Sequence, residues 1–270
     1  MTTTIFTSAL FQTTTTLIIS DKSILLVDPN WLPHEIDAIR AEVDEYLENR
    51  DLYLLFTHSD YDHIIGYHAF PEATIIASRA FVENPNKDKV LEEIYQFDES
   101  YYINRKYQIA YPTVHQIIEQ DGEQLTLGDL ELTFYQAPGH NADGMFTIVE
   151  NEGIWIAGDY LSDIEFPFIY HSSIDYLNTL EKVDKILEYH TIKQLIPGHG
   201  NPTSSIKEIQ KRKLENKKYI LELKSAARTT KGFDLDGLWE RYDYRRGMDA
   251  FHQKNIALIE KEIKTNSVLP

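Results

Sequence analysis

A seven-residue loop, Thr57-His58-Ser59-Asp60-Tyr61-Asp62-His63, holds four side chains that could bind a metal ion. It directly follows the apolar run Leu52–Phe56, which has the length of a buried strand. His58 and Asp60 are two residues apart, so in extended chain they point to the same side. Imidazole nitrogens combined with carboxylate oxygens favour Zn, Mn or Fe. The loop therefore predicts a metal site, with a polar loop that caps a helix beginning at Asp62 as the alternative.

Three later segments each place one further candidate ligand directly after a strand-like run. They are Ala137-Pro138-Gly139-His140, Ala157-Gly158-Asp159 and Ile196-Pro197-Gly198-His199-Gly200. A glycine beside each candidate lets the backbone approach closely. Taken singly, a histidine after glycine is typical of a turn. Taken with the first loop, the segments supply seven candidate ligands, the number that suits two metals sharing one carboxylate: His58, Asp60, Asp62, His63, His140, Asp159 and His199.

The runs that must position these residues alternate between strands and helices. Strands are predicted at Ile5–Ser8, Thr14–Ile19, Ser23–Val27, Leu52–Phe56, Val114–Ile118, Glu123–Leu127, Leu130–Gln136, Met145–Val149, Gly153–Ala157 and Gln194–Ile196. Apolar residues at spacings of three and four predict amphipathic helices over Pro33–Asn49 and Ile174–His190. Two strand blocks, each closed by a helix and a strand, predict two packed sheets with helices outside.

The order of these motifs resembles that of the metallo-β-lactamase superfamily over roughly residues 3–202. A histidine-rich loop is followed by a lone histidine, an aspartate and a last histidine, and Val27-Asp28-Pro29 is similar to the early structural aspartate of the family. The resemblance implies an α+β fold, a four-layer αββα sandwich with the metals at one edge, between the sheets.

One position departs from the family pattern. The usual loop reads His-x-His-x-Asp-His, whereas Asp60 stands here in place of the second histidine. The flavodiiron branch is similar in placing a carboxylate at this position. Carried over by residue, the resemblance implies one metal held by His58, Asp60 and His140, a second held by Asp62, His63 and His199, and Asp159 bridging the two.

The extra carboxylate changes the charge of such a centre. Asp60, Asp62 and Asp159 together supply −3 to two divalent ions, which leaves +1, and a bridging hydroxide brings the cluster to zero. An additional anionic ligand weakens the Lewis acidity and favours harder ions. The expected cofactors are therefore two divalent metal ions, Zn, Fe or Mn, with Fe or Mn preferred.

The resemblance implies a metal-dependent hydrolase. A hydroxide bridging the dinuclear centre would cleave an ester, phosphoester, lactone or amide of a small polar substrate. Asp62 and Asp159 are the expected catalytic residues, Asp62 as ligand and orienter of the attacking water. Three alternatives stay open: a flavodiiron-like redox di-iron protein, a nuclease or phosphodiesterase, and a non-catalytic metal-binding protein. The first needs a flavin domain, for which 270 residues leave no room after the metal domain.

Two regions add to the sandwich. Residues 1–203 are predicted to form the catalytic domain, and residues 79–113 within it a helical, aromatic insertion that could serve as a lid. Residues 204–270 are predicted to form a helical extension packed on the same domain. Candidate substrate contacts follow Asp159 in the chain or lie in the insertion, with packing or ion pairing as the alternative: Tyr160, Phe166, Phe168, Tyr170, His171, Ser172, Tyr101, Tyr102 and Arg105.

Composition limits the partners and the compartment. Lys and Arg number 26 against 43 Asp and Glu, and the net charge of −17 argues against broad nucleic-acid binding. The basic stretch Lys207–Lys231 is either a local nucleic-acid patch or a solvated helix face. The absence of cysteine excludes disulfides, thiol nucleophiles and Cys-ligated zinc. With no signal peptide and no membrane span evident, we expect a cytoplasmic protein with a small-molecule substrate, no membrane partner, and a homodimer as an open possibility.

Overall fold

The computed structural model describes residues 1–229 and 232–266. Its strands are β1 Thr2–Thr7, β2 Thr14–Ile19, β3 Ser23–Val27, β4 Asp51–Leu55, β5 Thr74–Ser78, β6 Gln116–Ile118, β7 Glu123–Leu127, β8 Leu130–Gln136, β9 Met145–Val149, β10 Ile154–Ile156 and β11 Gln194–Ile196. Its helices are α1 Pro33–Tyr46, α2 Tyr61–Ile64, α3 Arg79–Val82, α4 Lys87–Ser100, α5 Ser173–Tyr189, α6 Ile206–Arg228, α7 Leu235–Trp239 and α8 Arg245–Asn266. Lys231, at the end of the predicted basic stretch, and residues 267–270 of the predicted extension lie outside the described residues.

The strands form two sheets. The first has the order β1-β2-β3-β4-β5-β6, and the second has the order β11-β10-β9-β8-β7. The β3-β4, β4-β5, β5-β6 and β10-β11 pairs are parallel, and the remaining pairs are antiparallel. Because parallel strands point the same way, their carboxyl ends and the loops that follow them lie at one edge of each sheet.

Alternate residues of single strands enter different layers of the core. On β3, Ile24 and Leu26 join the cluster beneath α1, whereas Leu25 and Val27 face the second sheet. On β9, likewise, Phe146 packs toward α5 while Val149 lies between the sheets. This period of two is what a strand buried on both faces requires. Helix, sheet, sheet and helix therefore form four layers, which confirms the predicted αββα sandwich.

The C-terminal helices share the core of the second sheet. Ile209 and Ile220 of α6 and Ile259 of α8 are fully buried in the same cluster as Trp155 of β10. Burial of each such side chain contributes roughly 1.5–3 kcal/mol to the free energy of folding. None of the helices within residues 1–229 and 232–266 combines the length and apolar composition needed to cross a bilayer.

The region predicted to be a helical insertion is only partly helical. Helices α3 and α4 cover its first half, whereas residues 103–115 contain neither helix nor strand. Phe97 of α4 packs against Trp31 with ring centroids 4.5 Å apart, so the insertion is joined to the first sheet's core. Strand β5 was not predicted, because Thr74–Ser78 is a short apolar run between loops with no alternation to distinguish it.

Candidate metal centre

The candidate ligands lie where strands of both sheets end at one edge of the sandwich. His58, Asp60, Asp62 and His63 follow β4, His140 follows β8, Asp159 follows β10, and His199 follows β11. The sheets are joined at this edge, where the Met145 N–H donates to the Thr57 carbonyl at 2.9 Å. Residues distant in sequence are thus brought to a common point by the strands that precede them.

Two groups of potential ligands result, and within each group the ligand atoms lie within 4.8 Å of one another. The first group is His58, Asp60, His140 and Asp159, and the second is Asp62, His63 and His199. All members are buried or half-buried. The division is the one that the family resemblance implies for two metals.

Asp159 belongs to the first group and also contacts the second. Its Oδ2 is 3.6 Å from His58 Nε2 and 3.2 Å from His140 Nε2, both in the first group. In the second group, its Oδ1 is 3.1 Å from His63 Nε2 and its Oδ2 is 3.3 Å from His199 Nε2. One carboxylate therefore touches all four imidazoles, which is the position that a bridging ligand needs.

Asp28 fixes the Nδ1 atoms of His58 and His63, directly for His63 and through the Thr57 hydroxyl for His58. The Thr57 hydroxyl donates to Asp28 Oδ2 at 2.6 Å, so it can only accept from His58 Nδ1 at 2.9 Å. His63 Nδ1 donates to the same Asp28 oxygen at 3.0 Å. Both rings thus carry a proton on Nδ1 and direct Nε2 toward Asp159, the arrangement in which a partner carboxylate orients a ligating histidine.

Backbone carbonyls fix the remaining two histidines in the same way. His140 Nδ1 donates to the Phe168 carbonyl at 2.7 Å, and His199 Nδ1 donates to the Phe11 carbonyl at 3.0 Å. All four histidines therefore present Nε2 to the centre. His58 Nε2 and Asp159 Oδ1 are buried and have no hydrogen-bond partner within residues 1–229 and 232–266. Such buried atoms need a partner, and a divalent cation is the one that this set of donors fits.

Gly198 makes room for the central carboxylate. A Cβ atom at this position would lie 2.2 Å from Asp159 Oδ1 and 2.9 Å from the Gly158 carbonyl carbon. A side chain at position 198 would therefore force the Asp159 carboxylate or the Gly158 backbone to move.

Asp159 and its neighbours shift the pKa values of the site in opposite directions. Burial opposes a charged His140, but the Asp159 and Asp60 carboxylates outweigh burial and raise the pKa of His140 to about 9. Burial likewise opposes a charged His199, and Asp159 with Glu165 raises its pKa to about 10. Burial would raise the pKa of Asp159, yet the four surrounding histidines hold it well below its usual value.

Metal binding should consequently depend on pH. His140 and His199 keep a proton to well above neutral pH, and a cation must displace it to reach Nε2. We expect the apparent affinity to rise with pH up to about pH 9, about tenfold per unit for each proton displaced. Calorimetry in two buffers of different ionisation enthalpy counts the protons released. An affinity that stays constant from about pH 7 to about pH 9 would contradict this expectation.

The predicted substrate contacts after Asp159 occupy different environments. Tyr170 is 40% exposed, and its ring lies 4.9 Å from the His140 ring. Tyr160 is buried, and its hydroxyl donates to the Pro138 carbonyl and accepts from the His140 N–H, so it supports the His140 loop. His171 lies at the surface with Nε2 3.5 Å from an Asp175 carboxylate oxygen. Phe166 and Phe168 pack against rings of the C-terminal helices, and Ser172 caps α5.

The predicted contacts in the insertion are not gathered at the ligands. Arg105 is buried in an ion pair with Asp98 at 2.8 Å and also donates to the Trp31 carbonyl, so its charge is engaged within the insertion. Tyr101 is 66% exposed and packs on Phe97, and Tyr102 is 92% exposed. Of the aromatic candidates, Tyr170 is the one whose ring contacts a candidate ligand.

Two polar residues near the centre were not predicted as site residues. Glu165 and Asn216 line a cavity that also touches His140 and Asp159. Asn216 lies on α6, within the basic stretch Lys207–Lys231, which was predicted to be either a nucleic-acid patch or a solvated helix face. Nothing in its local sequence distinguishes it from the other polar residues of that helix, so only the fold reveals its position.

The basic residues of α6 are largely engaged with acidic neighbours. Lys213 Nζ lies 2.6 Å from Asp184 Oδ2, and Lys217 Nζ lies 2.6 Å from Glu181 Oε1. Arg212 is buried and contacts Glu208 at 3.2 Å. These ion pairs reduce the positive charge that a phosphate backbone would meet on this helix.

Comparison with known proteins agrees with this architecture. The family model of the metallo-beta-lactamase superfamily matches residues 9–206. The acyl-coenzyme A thioesterase MBLAC2 of Homo sapiens is 25% identical over 170 residues, which cover 59% of this chain and 60% of that protein. Its Bos taurus counterpart is 25% identical over 162 residues, 56% of this chain and 57% of that protein. The chain thus matches less than two thirds of the length of these relatives.

Solved structures share the fold at low sequence identity. A metallo-beta-lactamase family protein of Thermus thermophilus superposes with a TM-score of 0.61 at 16% identity, covering 83% of this chain and 81% of that one. An archaeal metallo-beta-lactamase superfamily protein of Sulfolobus tokodaii gives a TM-score of 0.56 at 16% identity, covering 97% and 98%. The family match, the four-layer sandwich and the two ligand groups agree, and we conclude that this chain belongs to the metallo-beta-lactamase superfamily.

Proposed function

We propose that this protein hydrolyses a carboxylic ester or thioester, using two divalent cations bound at the candidate metal centre. The observation that carries the proposal is the position of Asp159, which contacts imidazoles of both ligand groups at 3.1–3.6 Å. His58, Asp60 and His140 would hold one cation, Asp62, His63 and His199 the other, and Asp159 both. Two cations so held lower the pKa of a water molecule and polarise the bond under attack.

Asp62 is suited to handle the proton of the attacking water. Its Oδ2 lies 3.5 Å from His199 Nε2 and 3.7 Å from His63 Nε2, so it belongs to the centre itself. Burial, together with the Asp159 and Asp60 carboxylates, raises the pKa of Asp62 against the opposing effect of His63 and His199. A carboxylate with a raised pKa is a better general base, and Oδ2 can orient the water and accept its proton.

Tyr170 is suited to stabilise the charge that develops on the substrate. Its ring lies against His140, and its hydroxyl has no partner within residues 1–229 and 232–266. Partial burial and the Asp60 and Asp159 carboxylates raise the pKa of Tyr170 well above its usual value, so the hydroxyl keeps its proton at neutral pH. It can therefore donate a hydrogen bond to the carbonyl oxygen as negative charge builds there.

The relatives support a carbonyl substrate. The human and bovine proteins are named acyl-coenzyme A thioesterases, and their match includes a little over half of this chain. A thioester and an oxygen ester present the same carbonyl to an attacking water and differ in the leaving group. We therefore propose that the bond cleaved is an ester or thioester bond, and the proposal does not specify coenzyme A as the leaving group.

A substrate screen tests the proposal. Protein loaded with Mn, Fe or Zn is assayed with p-nitrophenyl acetate, the butanoyl thioester of N-acetylcysteamine, a lactone, an anilide and bis-p-nitrophenyl phosphate. We expect metal-dependent turnover of the ester and thioester, reduced at least about a hundredfold by His63→Ala. Turnover of the phosphodiester alone, or turnover that survives chelation, would overturn the proposal.

We further propose that Fe or Mn is the native metal. Asp60 adds a third carboxylate to the centre and accepts from Asn141 Nδ2, which holds it beside His140. Hard oxygen ligands favour these ions over zinc. Elemental analysis of protein purified after growth in balanced metals should find Fe or Mn in excess of Zn. A sample containing only zinc would contradict this prediction.

A further inference from the structure

A small cavity lies beside the metal centre, between the loop that follows Asp159 and helix α6. Its volume is about 10 Å³, which is room for about one oxygen-sized group. Its wall is built from His140, Asp159, Leu161, Ser162, Glu165, Phe166, Phe168, Tyr176 and Asn216. Two candidate ligands thus belong to the wall of the cavity. Of its four other polar side chains, Tyr176 donates to the Asp159 carbonyl at 3.4 Å, and Ser162, Glu165 and Asn216 come from the loop and from α6.

Asn216 is the most deeply buried of these polar side chains. It is 2% exposed, and its amide makes no hydrogen bond to any residue in 1–229 or 232–266. Buried side-chain amides in native proteins are nearly always hydrogen-bonded. Because Asn216 lines the cavity, a water molecule or a ligand group that enters the cavity can supply that partner.

Glu165 and Ser162 complete the set. The Glu165 carboxylate has neither an ion pair nor a hydrogen bond within the described part of the chain. Ser162 Oγ accepts from the Ile164 N–H at 3.1 Å and from the Glu165 N–H at 3.2 Å. Both of its lone pairs are therefore used, so its own hydrogen is free to be donated.

These three groups select one kind of ligand. Glu165 can only accept when ionised, Ser162 can only donate, and the Asn216 amide can do either. An ammonium group would leave the Ser162 hydrogen without an acceptor, and a carboxylate would have no hydrogen to donate to the ionised Glu165. A hydroxyl group both accepts and donates, and its single oxygen fits the volume.

The C-terminal helices hold the cavity in this form. Arg212 Nη1 donates to the Leu161 carbonyl at 3.1 Å. Asn255 of α8 donates from Nδ2 to the Pro167 carbonyl at 2.6 Å and accepts from the Ile169 N–H at 2.9 Å. The loop carrying Ser162 and Glu165 is therefore tied at both ends to the C-terminal helices, one of which carries Asn216, and the three groups keep their mutual positions.

We propose that Ser162, Glu165 and Asn216 form a subsite for a hydroxyl group of the substrate close to the scissile carbonyl. The inference rests on the proposed ester or thioester hydrolysis. It makes these residues determinants of specificity, since a site built to hydrogen-bond a hydroxyl discriminates against the analogue that lacks it.

The test compares substrates that differ by one hydroxyl. Metal-loaded protein is given the N-acetylcysteamine thioesters of butanoate and of 2-, 3- and 4-hydroxybutanoate, and binding of the four free acids is measured by calorimetry. We expect one hydroxylated isomer to be preferred over butanoate about tenfold or more, in kcat/KM and in Kd. In Asn216→Leu, Ser162→Ala and Glu165→Gln this ratio should fall toward one, whereas the surface variant Glu222→Gln should keep it.

The two measurements separate the possible failures. A preference in binding without turnover of any thioester would refute the proposed hydrolysis and support the subsite. If butanoyl and hydroxybutanoyl thioesters were turned over at equal rates and the free acids bound with equal Kd, the subsite would be refuted. The cavity would then be a site for a water molecule. The subsite is overturned if no hydroxylated isomer is preferred in either measurement, or if the preference survives both Asn216→Leu and Ser162→Ala.

Discussion

Replacing Asp159 by asparagine is expected to abolish metal binding and to lower kcat/KM by at least about a thousandfold. The amide has the shape of the carboxylate but no charge, and its NH₂ group would point hydrogen atoms at imidazole nitrogens of either ligand group. The four contacts that Asp159 makes to histidine Nε2 atoms would all lose their electrostatic component. Elemental analysis and turnover of the thioester, measured on the same sample, test the expectation.

A matched variant separates this effect from a loss of folding. Asp121→Asn removes a carboxylate that pairs with Lys182 at the surface, and it should keep both the metal and the activity. Circular dichroism of the two variants should be the same. If Asp159→Asn retained two metal ions per chain, the bridging position inferred from the geometry would be wrong.

Replacing Asp28 by asparagine is expected to weaken metal binding about ten- to a hundredfold, although Asp28 is not a candidate ligand. Its carboxylate accepts from Thr57 Oγ1, from the Thr57 N–H and from His63 Nδ1. Through Thr57 it also fixes His58, so one residue orients an imidazole in each ligand group. With an amide in place of the carboxylate, one of these donors would face another donor, and at least one ring would turn.

The effect of Asp28→Asn should appear at both metal sites. Calorimetric titration should show two weakened binding events, and competition with a chelator should remove both ions at lower concentration than in the unsubstituted protein. Asp129→Asn is the control, because Asp129 likewise accepts from a serine hydroxyl and a backbone N–H, but its partners Ser20 and Asp21 lie in the β2-β3 turn. Loss of affinity at only one site would show that Asp28 acts on one histidine alone.

The fold was largely predictable because its pattern is local. The bounds of β2, β3, β7, β8, β9 and β11 are those predicted, since each is a short apolar or alternating run bounded by polar turns. The first strand begins at Thr2 rather than Ile5, because pairing of Thr2 with Ile19 extends it over polar threonines that apolar periodicity does not reveal. Tertiary pairing, rather than residue preference, sets that boundary.

The candidate site was predictable only where motif and strand end coincide. His140, Asp159 and His199 each follow a strand directly, so the edge at which they meet could be expected from the sequence. Roles that depend on contacts between side chains could not be predicted from the sequence. Arg105 is engaged with Asp98, and Asn216 reaches the cavity because α6 packs on the second sheet. Such contacts depend on how the elements pack in three dimensions, and no local spacing encodes them.

The ligands of the metal centre come from both sheets of the sandwich. His58 and His63 follow a strand of the first sheet, whereas His140 and His199 follow strands of the second. Cations bound there would link the two sheets through ligands that both sheets supply. At a free metal concentration of a hundred times Kd, each occupied site would add about 2.7 kcal/mol to the free energy needed to separate the sheets and release the ions. The ions that activate water would in this way also keep the halves of the sandwich aligned.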